Sequence, residues 1–182
     1  PQNTTLKDLQ EKLDNNRSSI SFDLNVSISA TIGLRTKKSR GTNILGCIPG
    51  DGSSDEIIII GAHMDHLGYG GKGSGSLRPN ENAIHNGAND NASGIAGLIE
   101  LAEKLANNPR PLKRDVLFVA FDAEEKGLLG SKHFVNNSVI NLENVAAMLN
   151  MDMIGRLKDS SLTVGGTGTS PLFEPLLDSL QN

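Results

Sequence analysis

The stretch EIIIIGAHMD (Glu56–Asp65) decides the fold of this chain. Its first part, Glu56–Ala62, contains four consecutive isoleucines, and a continuous apolar run of this length is typical of a strand that is buried on both faces. Two later segments have the same character, namely Asp115–Phe121 and Val145–Met153. The three segments therefore predict a parallel or mixed sheet that is covered by helices.

Helical patterns separate the three predicted strands. Between about Asn91 and Asn107 the apolar residues recur on one stripe, and a shorter helix is predicted from about Gly127 to Asn136. Because strands and helices alternate, the predicted fold class is α/β, a three-layer α/β/α sandwich with a mixed, mostly parallel central sheet. The stretch from Leu67 to Asn89 is rich in glycine, serine and asparagine, and we expect this long loop to be functional.

The amino-terminal part follows another pattern. Thr4 or Thr5 can cap a short helix that ends at Asn15-Asn16. From Ile20 to Ile28 apolar and polar residues alternate strictly, which predicts a half-exposed strand. We expect this strand to pair with a second strand at Thr42–Ile48.

Composition excludes several classes of function. The 182 residues carry a formal net charge of -4, with acidic and basic residues mixed, so the sequence predicts no nucleic-acid partner. Cys47 is the single cysteine, which excludes an intrachain disulfide. No stretch approaches the roughly 20 apolar residues of a membrane span. The sequence does not specify the oligomeric state.

Polar residues follow the first two predicted buried strands, another lies near the end of the third, and one more opens the helix after the long loop. These residues are His63, Asp65, Asp90, Glu124, Glu125 and Asp152. Ligands in open α/β sheets bind outside the carboxyl ends of the strands, so we expect these side chains to converge on one edge. So many carboxylates in a partly dry cleft require a compensating cation, because repulsion and desolvation would otherwise protonate them.

Zinc suits this set of residues. It takes imidazole and carboxylate ligands, and two ions about 3.5–4 Å apart need a bridging carboxylate. We predict that Asp90 is the bridge. His63 and Asp152 then complete one ion, and Glu125 serves the other.

Two residues are predicted to support the metals without binding them. Asp65 lies two positions after His63 and can accept the second N–H of that ring. Glu124 stays free of the metals and is predicted to act as the general base on the attacking water. Each residue alone has a simpler interpretation: Asp90 as a helix N-cap, Glu124-Glu125 as a solvated turn and His63 as a structural histidine. The convergence of all of them favours the metal site.

Four strings resemble one known family. They are GAHMDH (Gly61–His66), NGANDNASG (Asn86–Gly94), FDAEEKGLLGS (Phe121–Ser131) and NMDMIGR (Asn150–Arg156). They resemble the zinc-dependent aminopeptidases of the two-zinc kind, a family that includes glutamate carboxypeptidases and glutaminyl cyclases. The resemblance implies an α/β/α sandwich and the roles already given for the six site residues.

The sequence departs from that family at one ligand. The resemblance implies a further histidine on the zinc held by Glu125, well downstream of Asp152, and no histidine follows His133. Of the remaining histidines, His66 and His85 are expected to flank the cleft, and His133 to lie exposed on a helix. We interpret the chain as truncated, with weak binding of the Glu125-side metal; whether it is itself active stays open.

The predicted parent protein is an enzyme, a zinc metallopeptidase that hydrolyses amino-terminal peptide bonds of a peptide substrate with two Zn²⁺ ions. Few arginines lie near the site, Arg78 and Arg156 being the candidates, which favours an aminopeptidase over a carboxypeptidase. The alternatives are a glutamate-carboxypeptidase-like enzyme, a glutaminyl-cyclase-like enzyme and a non-catalytic binding module of this fold. We predict one domain over residues 1–182, with residues 1–40 as helix and edge strand and residues 41–182 as the metal-binding core, and a secreted or periplasmic location.

Overall fold

The computed structural model describes residues 4–17, 19, 21–23, 26–35 and 38–180. Contacts between Cα atoms divide the chain into two compact units, residues 1–38 and residues 39–182. The prediction that residues 1–182 form a single domain stays a prediction. Within the described part of the chain, no helix is long and apolar enough to cross a membrane.

Among its described residues, the first unit contains one helix, α1 (Leu6–Asn16). It begins at a capping box: the Thr5 hydroxyl accepts the backbone N–H of Asp8 at 3.1 Å, and the Asp8 carboxylate accepts the N–H of Thr5 at 2.8 Å. Arg17 ends the helix in the left-handed conformation, with φ of 50°. The predicted helix is therefore confirmed at both ends.

The predicted strand at Ile20–Ile28 is not found among the residues that can be described. Residues 21–23 and 26–28 form no strand, while Ile20, Leu24 and Asn25 lie outside the described part of the chain. The expected pairing with Thr42–Ile48 is replaced by another, because that strand is hydrogen-bonded to the sheet of the second unit. Alternation of apolar and polar residues does not make a strand without a neighbour to complete its ladder.

The second unit is built on four strands, β1 (Ile44–Ile48), β2 (Ile57–His63), β3 (Asp115–Phe121) and β4 (Val145–Asn150). Their order across the sheet is β1-β3-β2-β4. Strand β2 runs parallel to both neighbours, and β1 runs antiparallel to β3. The predicted mixed, mostly parallel sheet is thus confirmed.

Three α-helices accompany these strands: α2 (Ser93–Ala106), α3 (Leu129–Asn136) and α4 (Phe173–Leu180). A kinked turn at Ala88–Ala92 leads into α2, and the peptide bond between Asp90 and Asn91 is cis. Short 3-10 turns lie at Leu142–Asn144 and Thr167–Thr169.

The two faces of the sheet bury different side chains, because successive residues of a strand point in opposite directions. One apolar cluster joins strand residues to Phe134 of α3: Ile59, Leu117, Val119, Phe121 and Phe134. The other joins strand residues to Leu98 of α2: Ile60, Leu98, Val116 and Phe118. The sheet therefore has a helix on each face, which is the predicted three-layer α/β/α sandwich.

Strand register brings the functional ends together. His63 is the last residue of β2 and lies opposite Phe121, the last residue of β3. On the other side of β2, Gly61 lies opposite Asn150, the last residue of β4. Strand β4 is shorter than predicted, so Asp152 lies in the loop beyond the strand and not inside it. The carboxyl ends of the three parallel strands therefore open onto one edge.

Candidate metal centre

His63 is the central side chain of this edge and is 3% exposed. Its Nδ1 lies 3.1 Å from the backbone carbonyl oxygen of Asp65, so this nitrogen is the donor and carries the proton in the neutral ring. The other nitrogen, Nε2, is then free as a lone-pair donor for a metal. It lies 3.2 Å from Asp90 Oδ1 and 3.5 Å from Asp152 Oδ1.

Asp65 holds the neighbouring turn by a different contact from the one that the sequence predicts. Its side-chain Oδ1 lies 3.7 Å from Nδ1 of His63, whereas its backbone carbonyl oxygen lies 3.1 Å from the same nitrogen. The carboxylate instead accepts the backbone N–H of Glu124 at 2.8 Å and that of Glu125 at 3.2 Å. The turn after β3 offers two N–H groups that have left the sheet ladder, and a carboxylate satisfies both. One residue therefore fixes the imidazole and both glutamates.

Asp90 reaches the site from a turn and not from a regular helix. Its φ of −114° and ψ of 93° are not helical, and α2 has Ala92 in the N-cap position without a side-chain cap. The simpler interpretation of Asp90 as a helix N-cap is therefore wrong. Its carboxylate is left to face His63.

Asn91 fastens the Asp90 turn to the loop that carries Asp152. This side chain is 2% exposed. Its Oδ1 accepts the N–H of Gly94 at 3.0 Å and that of Met153 at 3.2 Å, and its Nδ2 donates to the Met151 carbonyl oxygen at 3.0 Å. Because two of these partners, Met151 and Met153, flank Asp152, the amide helps to set the distance between the two carboxylates that face His63.

Glu124 lies beside this group, in a cleft of about 240 Å³ that His63 and Asp152 also line. Burial is the main influence that raises the pKa of Glu124; the His63 charge opposes it, and the negative charges of Glu125, Asp152 and Asp65 raise it further. A carboxylate whose pKa is raised holds a proton more readily than a free glutamate does. This is the property required of a group that accepts a proton from water.

The pKa of His63 is also raised. Burial, the largest influence, lowers the pKa, but the charges of Asp152, Glu124 and Asp90 and the hydrogen bond to Asp65 together outweigh it. The ring is thus held in a strongly negative environment, which favours any cation, a proton or a metal.

Two groups of side chains at this edge have the donor atoms for a metal ion. The first is His63, Asp90 and Asp152, and the second is His66, Asp90 and Glu125. In each group the ligand atoms lie within 4.8 Å of one another, and Asp90 belongs to both. In a tetrahedral zinc site with ligands about 2.0–2.1 Å from the ion, donor atoms lie about 3.3 Å apart. The distances of 3.2 and 3.5 Å from Nε2 of His63 fit that spacing.

The second group contains a histidine that the sequence placed only at the edge of the cleft. Nδ1 of His66 lies 2.7 Å from Glu125 Oε1 and 4.0 Å from Asp90 Oδ1. Both Nδ1 and Oε1 are buried, and among the described residues neither has a hydrogen bond of acceptable geometry. Buried polar atoms are normally paired, so these two unsatisfied atoms require a partner, and an imidazole nitrogen and a carboxylate oxygen can both bind a metal ion.

Two further histidines, His85 and His133, were placed by the sequence beside the cleft and on an exposed helix face, respectively. His85 packs its ring against that of His66, with centroids 6.2 Å apart in a T-shaped arrangement. His133 is exposed on α3, as predicted. The sequence reasoning did not assign Asn91, although its position directly after Asp90 and three residues before Gly94 is the spacing of a side chain that caps the next turn.

Comparison with known proteins identifies relatives of this chain. The sequence model described as "Peptidase family M28" matches residues 43–182. A protein of Phaeosphaeria nodorum (strain SN15) named "Probable zinc metalloprotease" is 34% identical over 122 residues, which cover 64% of this chain and 24% of that protein. The "Probable lipoprotein aminopeptidase LpqL" of Mycobacterium tuberculosis (strain H37Rv) is 34% identical over 122 residues, 66% of this chain and 21% of the relative.

A third relative carries another name. The "Glutamate carboxypeptidase 2 homolog" of Caenorhabditis elegans is 37% identical over 134 residues, which cover 71% of this chain and 15% of that protein. The chain thus spans between 15% and 24% of the length of these relatives.

Proposed function

Because the chain belongs to peptidase family M28, we propose that it carries the metal-binding and acid–base groups of a zinc-dependent aminopeptidase. The observation that carries the proposal is the convergence of His63, Asp90 and Asp152 on one point, with Glu124 beside them in the same cleft. Relatives named zinc metalloprotease and aminopeptidase support it.

The proposed metal centre has two positions that share Asp90. His63 and Asp152 hold the first ion, and Glu125 belongs to the second. Zinc bound there supplies Lewis-acid chemistry, polarising a carbonyl oxygen and lowering the pKa of water. The fit of the donor distances and the unsatisfied atoms of the second group support this assignment.

Glu124 is the proposed catalytic base. It belongs to neither group of metal donors, so its carboxylate is free to exchange a proton. It accepts a proton from the attacking water and donates it to the amine that leaves when the peptide bond breaks. Its raised pKa suits both steps, because the group must hold the proton between them.

Asp65 is proposed as a positioning residue. Its carbonyl oxygen fixes the tautomer of His63, and its carboxylate fixes the backbone of Glu124 and Glu125. The base therefore keeps a set position relative to the first metal position. Such supporting contacts govern metal affinity and activity as strongly as many direct ligands do.

The proposed substrate is the amino-terminal end of a peptide. A carboxypeptidase needs cationic side chains for the substrate carboxylate, and among the described residues that line the cleft of His63, Glu124 and Asp152 there is no arginine or lysine. Arg78 lies 3.5 Å from Glu81 in the long loop and is largely exposed. The relative named as a glutamate carboxypeptidase homologue makes carboxypeptidase activity the alternative. Rates on aminoacyl and on carboxyl-terminal reporter peptides decide between them.

The Glu124→Gln variant tests the proposed mechanism. It keeps the size and hydrogen-bonding capacity of the side chain but cannot take up a proton. We expect kcat for an aminoacyl reporter to fall by about 10² or more, the usual contribution of a general base, while bound zinc is unchanged. Exposed Glu143 on the turn before β4 provides the matched control, as Glu143→Gln. Unaltered turnover in Glu124→Gln would remove this residue from the mechanism.

Zinc content separates the remaining alternatives. Two ions per chain support the peptidase, one supports a cyclase-like enzyme and none supports a binding module.

We further propose that the protein acts outside the cytoplasm, an inference that the relative named as a lipoprotein supports. Fractionation of expressing cells, with the protein found only in the cytoplasm, would contradict that location.

A further inference from the structure

We propose that Asn43 is a positioning residue for Glu124, the proposed catalytic base. Asn43 immediately precedes β1 and belongs to neither group of metal donors. It acts through residues 122–130, the segment that joins β3 to the first turn of α3 and carries Glu124, which we name the base loop. The inference rests on the proposed function and extends it to the edge strand of the sheet.

The side chain of Asn43 closes the neck of the base loop. Its Oδ1 accepts the backbone N–H of Asp122 at 3.0 Å, and its Nδ2 donates to the Gly130 carbonyl oxygen at 2.8 Å. The N–H of Gly130 donates in turn to the Asp122 carbonyl oxygen at 3.0 Å. The first and last residues of the loop are therefore bonded to each other and to one amide, which is how compact surface loops keep their ends together.

Asp122 returns the contact to the edge strand. Its Oδ2 accepts the N–H of Thr42 at 2.8 Å, and its Oδ1 accepts the N–H of Ala123 at 2.7 Å. The backbone pairing of β1 with β3 ends at Ile44, the residue after Asn43. Beyond that point the two polar side chains supply the partners that the ladder no longer provides. Asn43 and Asp122 together form a clasp between the start of β1 and the neck of the base loop.

Gly130 gives the clasp the space that it needs. A Cβ atom at this position would collide with the backbone of Asp122 and with Oδ1 of Asn43. Gly130 is part of α3, and glycine is a poor helix former compared with alanine. The presence of glycine there is therefore explained by the close approach of the loop neck and not by the helix.

The backbone next to the base is held in a conformation that requires support. Ala123 has a φ of 55° and Leu128 a φ of 61°, both in the left-handed region that side chains with a Cβ avoid. Ala123 donates its N–H to Asp122 Oδ1, and its carbonyl oxygen accepts the Leu129 N–H at 3.0 Å. Strained residues persist only where the surrounding contacts fix them. Without the clasp, the loop should relax and displace Glu124.

The contacts of Asp65 do not replace the clasp. Asp65 accepts the N–H groups of Glu124 and Glu125 in the middle of the loop, whereas Asn43 holds the two ends. Supports at different points of the loop fix both the place and the direction of the Glu124 side chain. This precision matters because a base acts only within hydrogen-bond reach of the proton, and a misplacement of about 1 Å can cost about 10²-fold in rate.

The kinetic test is a double-mutant cycle with Glu124→Gln, measured on an aminoacyl reporter at saturating zinc. We expect Asn43→Ala to lower kcat about tenfold with KM and bound zinc unchanged, because the side chain touches neither metal-donor group. In the Glu124→Gln background the same substitution should cost less than about twofold, since the base that Asn43 positions is already absent. Asn136→Ala, at an exposed position of α3, is the matched control and should leave kcat unchanged.

Hydrogen exchange provides a readout that does not depend on turnover. In the metal-free chain, Asn43→Ala should speed exchange of the Leu129 and Gly130 amides about tenfold, because the neck of the loop opens more often. The acceptors of these two amides are backbone carbonyl oxygens that the substitution leaves in place. The amide of Val119, in the core of β3, should change less than about twofold if the variant remains folded. Asp122→Asn, which loses one of two acceptor oxygens, should affect the same loop amides.

The outcomes separate this inference from the proposed function. An equal loss of kcat in both backgrounds, or a loss of zinc together with kcat, overturns the role of Asn43 and leaves Glu124 as the base. Full turnover in Glu124→Gln, or none in the parent chain, counts against the proposed function, and the exchange rates then decide on the clasp by themselves. Unchanged exchange of the Leu129 and Gly130 amides in Asn43→Ala overturns the clasp whether or not the chain is active.

Discussion

Replacing Asn91 with alanine should separate the two carboxylates that face His63. The amide is 2% exposed and makes three hydrogen bonds, to the N–H groups of Gly94 and Met153 and to the carbonyl oxygen of Met151. Alanine leaves all three backbone groups without these partners. It also leaves the N–H of Gly155, which donates to Asn89 Oδ1 at 2.9 Å, as the remaining side-chain hydrogen bond that the described residues show between the loop of Asp152 and the turn of Asp90.

The size of the effect follows from these contacts. An unpaired buried polar group costs about 1–3 kcal/mol, and the bond to Gly94 is buried, while the bonds to Met151 and Met153 are part-buried and contribute less. We therefore expect the free energy of unfolding of metal-free Asn91→Ala to fall by about 3 kcal/mol. With an m-value of about 1–3 kcal/mol/M in urea, the midpoint should fall by about 1–3 M.

Urea titration followed by circular dichroism measures the change, and zinc content after gel filtration measures its consequence. Exposed Asn136 on α3 provides the matched control, since Asn136→Ala should stay within about 0.5 kcal/mol of the parent chain. A loss below about 1 kcal/mol in Asn91→Ala would refute the reasoning.

Three further predictions concern other contacts. Zinc affinity should keep rising with pH beyond 6.5, up to about tenfold per unit, because the proton that His63 must lose has a raised pKa; an affinity that levels off below pH 6.5 in calorimetric titrations would contradict it. Gly130→Ala should destabilise the chain by about 1–3 kcal/mol, since a Cβ there meets the Asp122 backbone, whereas Gly165→Ala, with open space around it, should be neutral in urea titration. The N–H groups of Glu124 and Glu125 meet different oxygens of Asp65, and Asp65→Asn replaces one of these oxygens with an NH₂ group, so the free energy of unfolding should fall by about 1 kcal/mol while His63 keeps its contact with the backbone carbonyl.

The stability of the metal-free chain should change with pH in the opposite direction to its zinc affinity: the stability falls as pH rises. The folded-state pKa values of His63 and Glu124 are both raised above their ordinary 6.5 and 4.5. The stability that each raised pKa contributes is therefore fully present below the ordinary value and is lost as pH rises through the raised value. Binding of zinc should reverse this trend, because the metal replaces the proton.

Much of the fold and half of the site could be predicted because their signals are local. The isoleucines of β2 and the apolar run of β3 are buried in the two apolar clusters on the faces of the sheet. Continuous apolar runs of this length are typical of strands that are buried on both faces, so these two strands could be predicted from the sequence. His63, Asp90 and Asp152 were predicted from their positions after strands and before a helix, and the structure brings them together.

The remaining parts depend on contacts between distant segments. His66 meets Glu125 because the loop between Leu67 and Gly87 folds back, and glycine-rich composition does not specify that path. The sequence also does not specify which oxygen of Asp65 faces His63. That choice depends on the free N–H groups of Glu124 and Glu125, which compete for the carboxylate. The predicted strand at Ile20–Ile28 was wrong in its described part because periodicity carries no information about a partner strand.

The double contact of Asp65 would make the two proposed metal positions mechanically dependent on each other. A residue that holds the imidazole of one position with its carbonyl oxygen and the glutamate of the other with its carboxylate transmits any displacement between them. Occupation of one position should therefore prepare its neighbour, so that the second ion binds more tightly than the first. Exchanging the metal at one position alone would therefore first require weakening the contacts that Asp65 makes with His63 and with the backbone of Glu125.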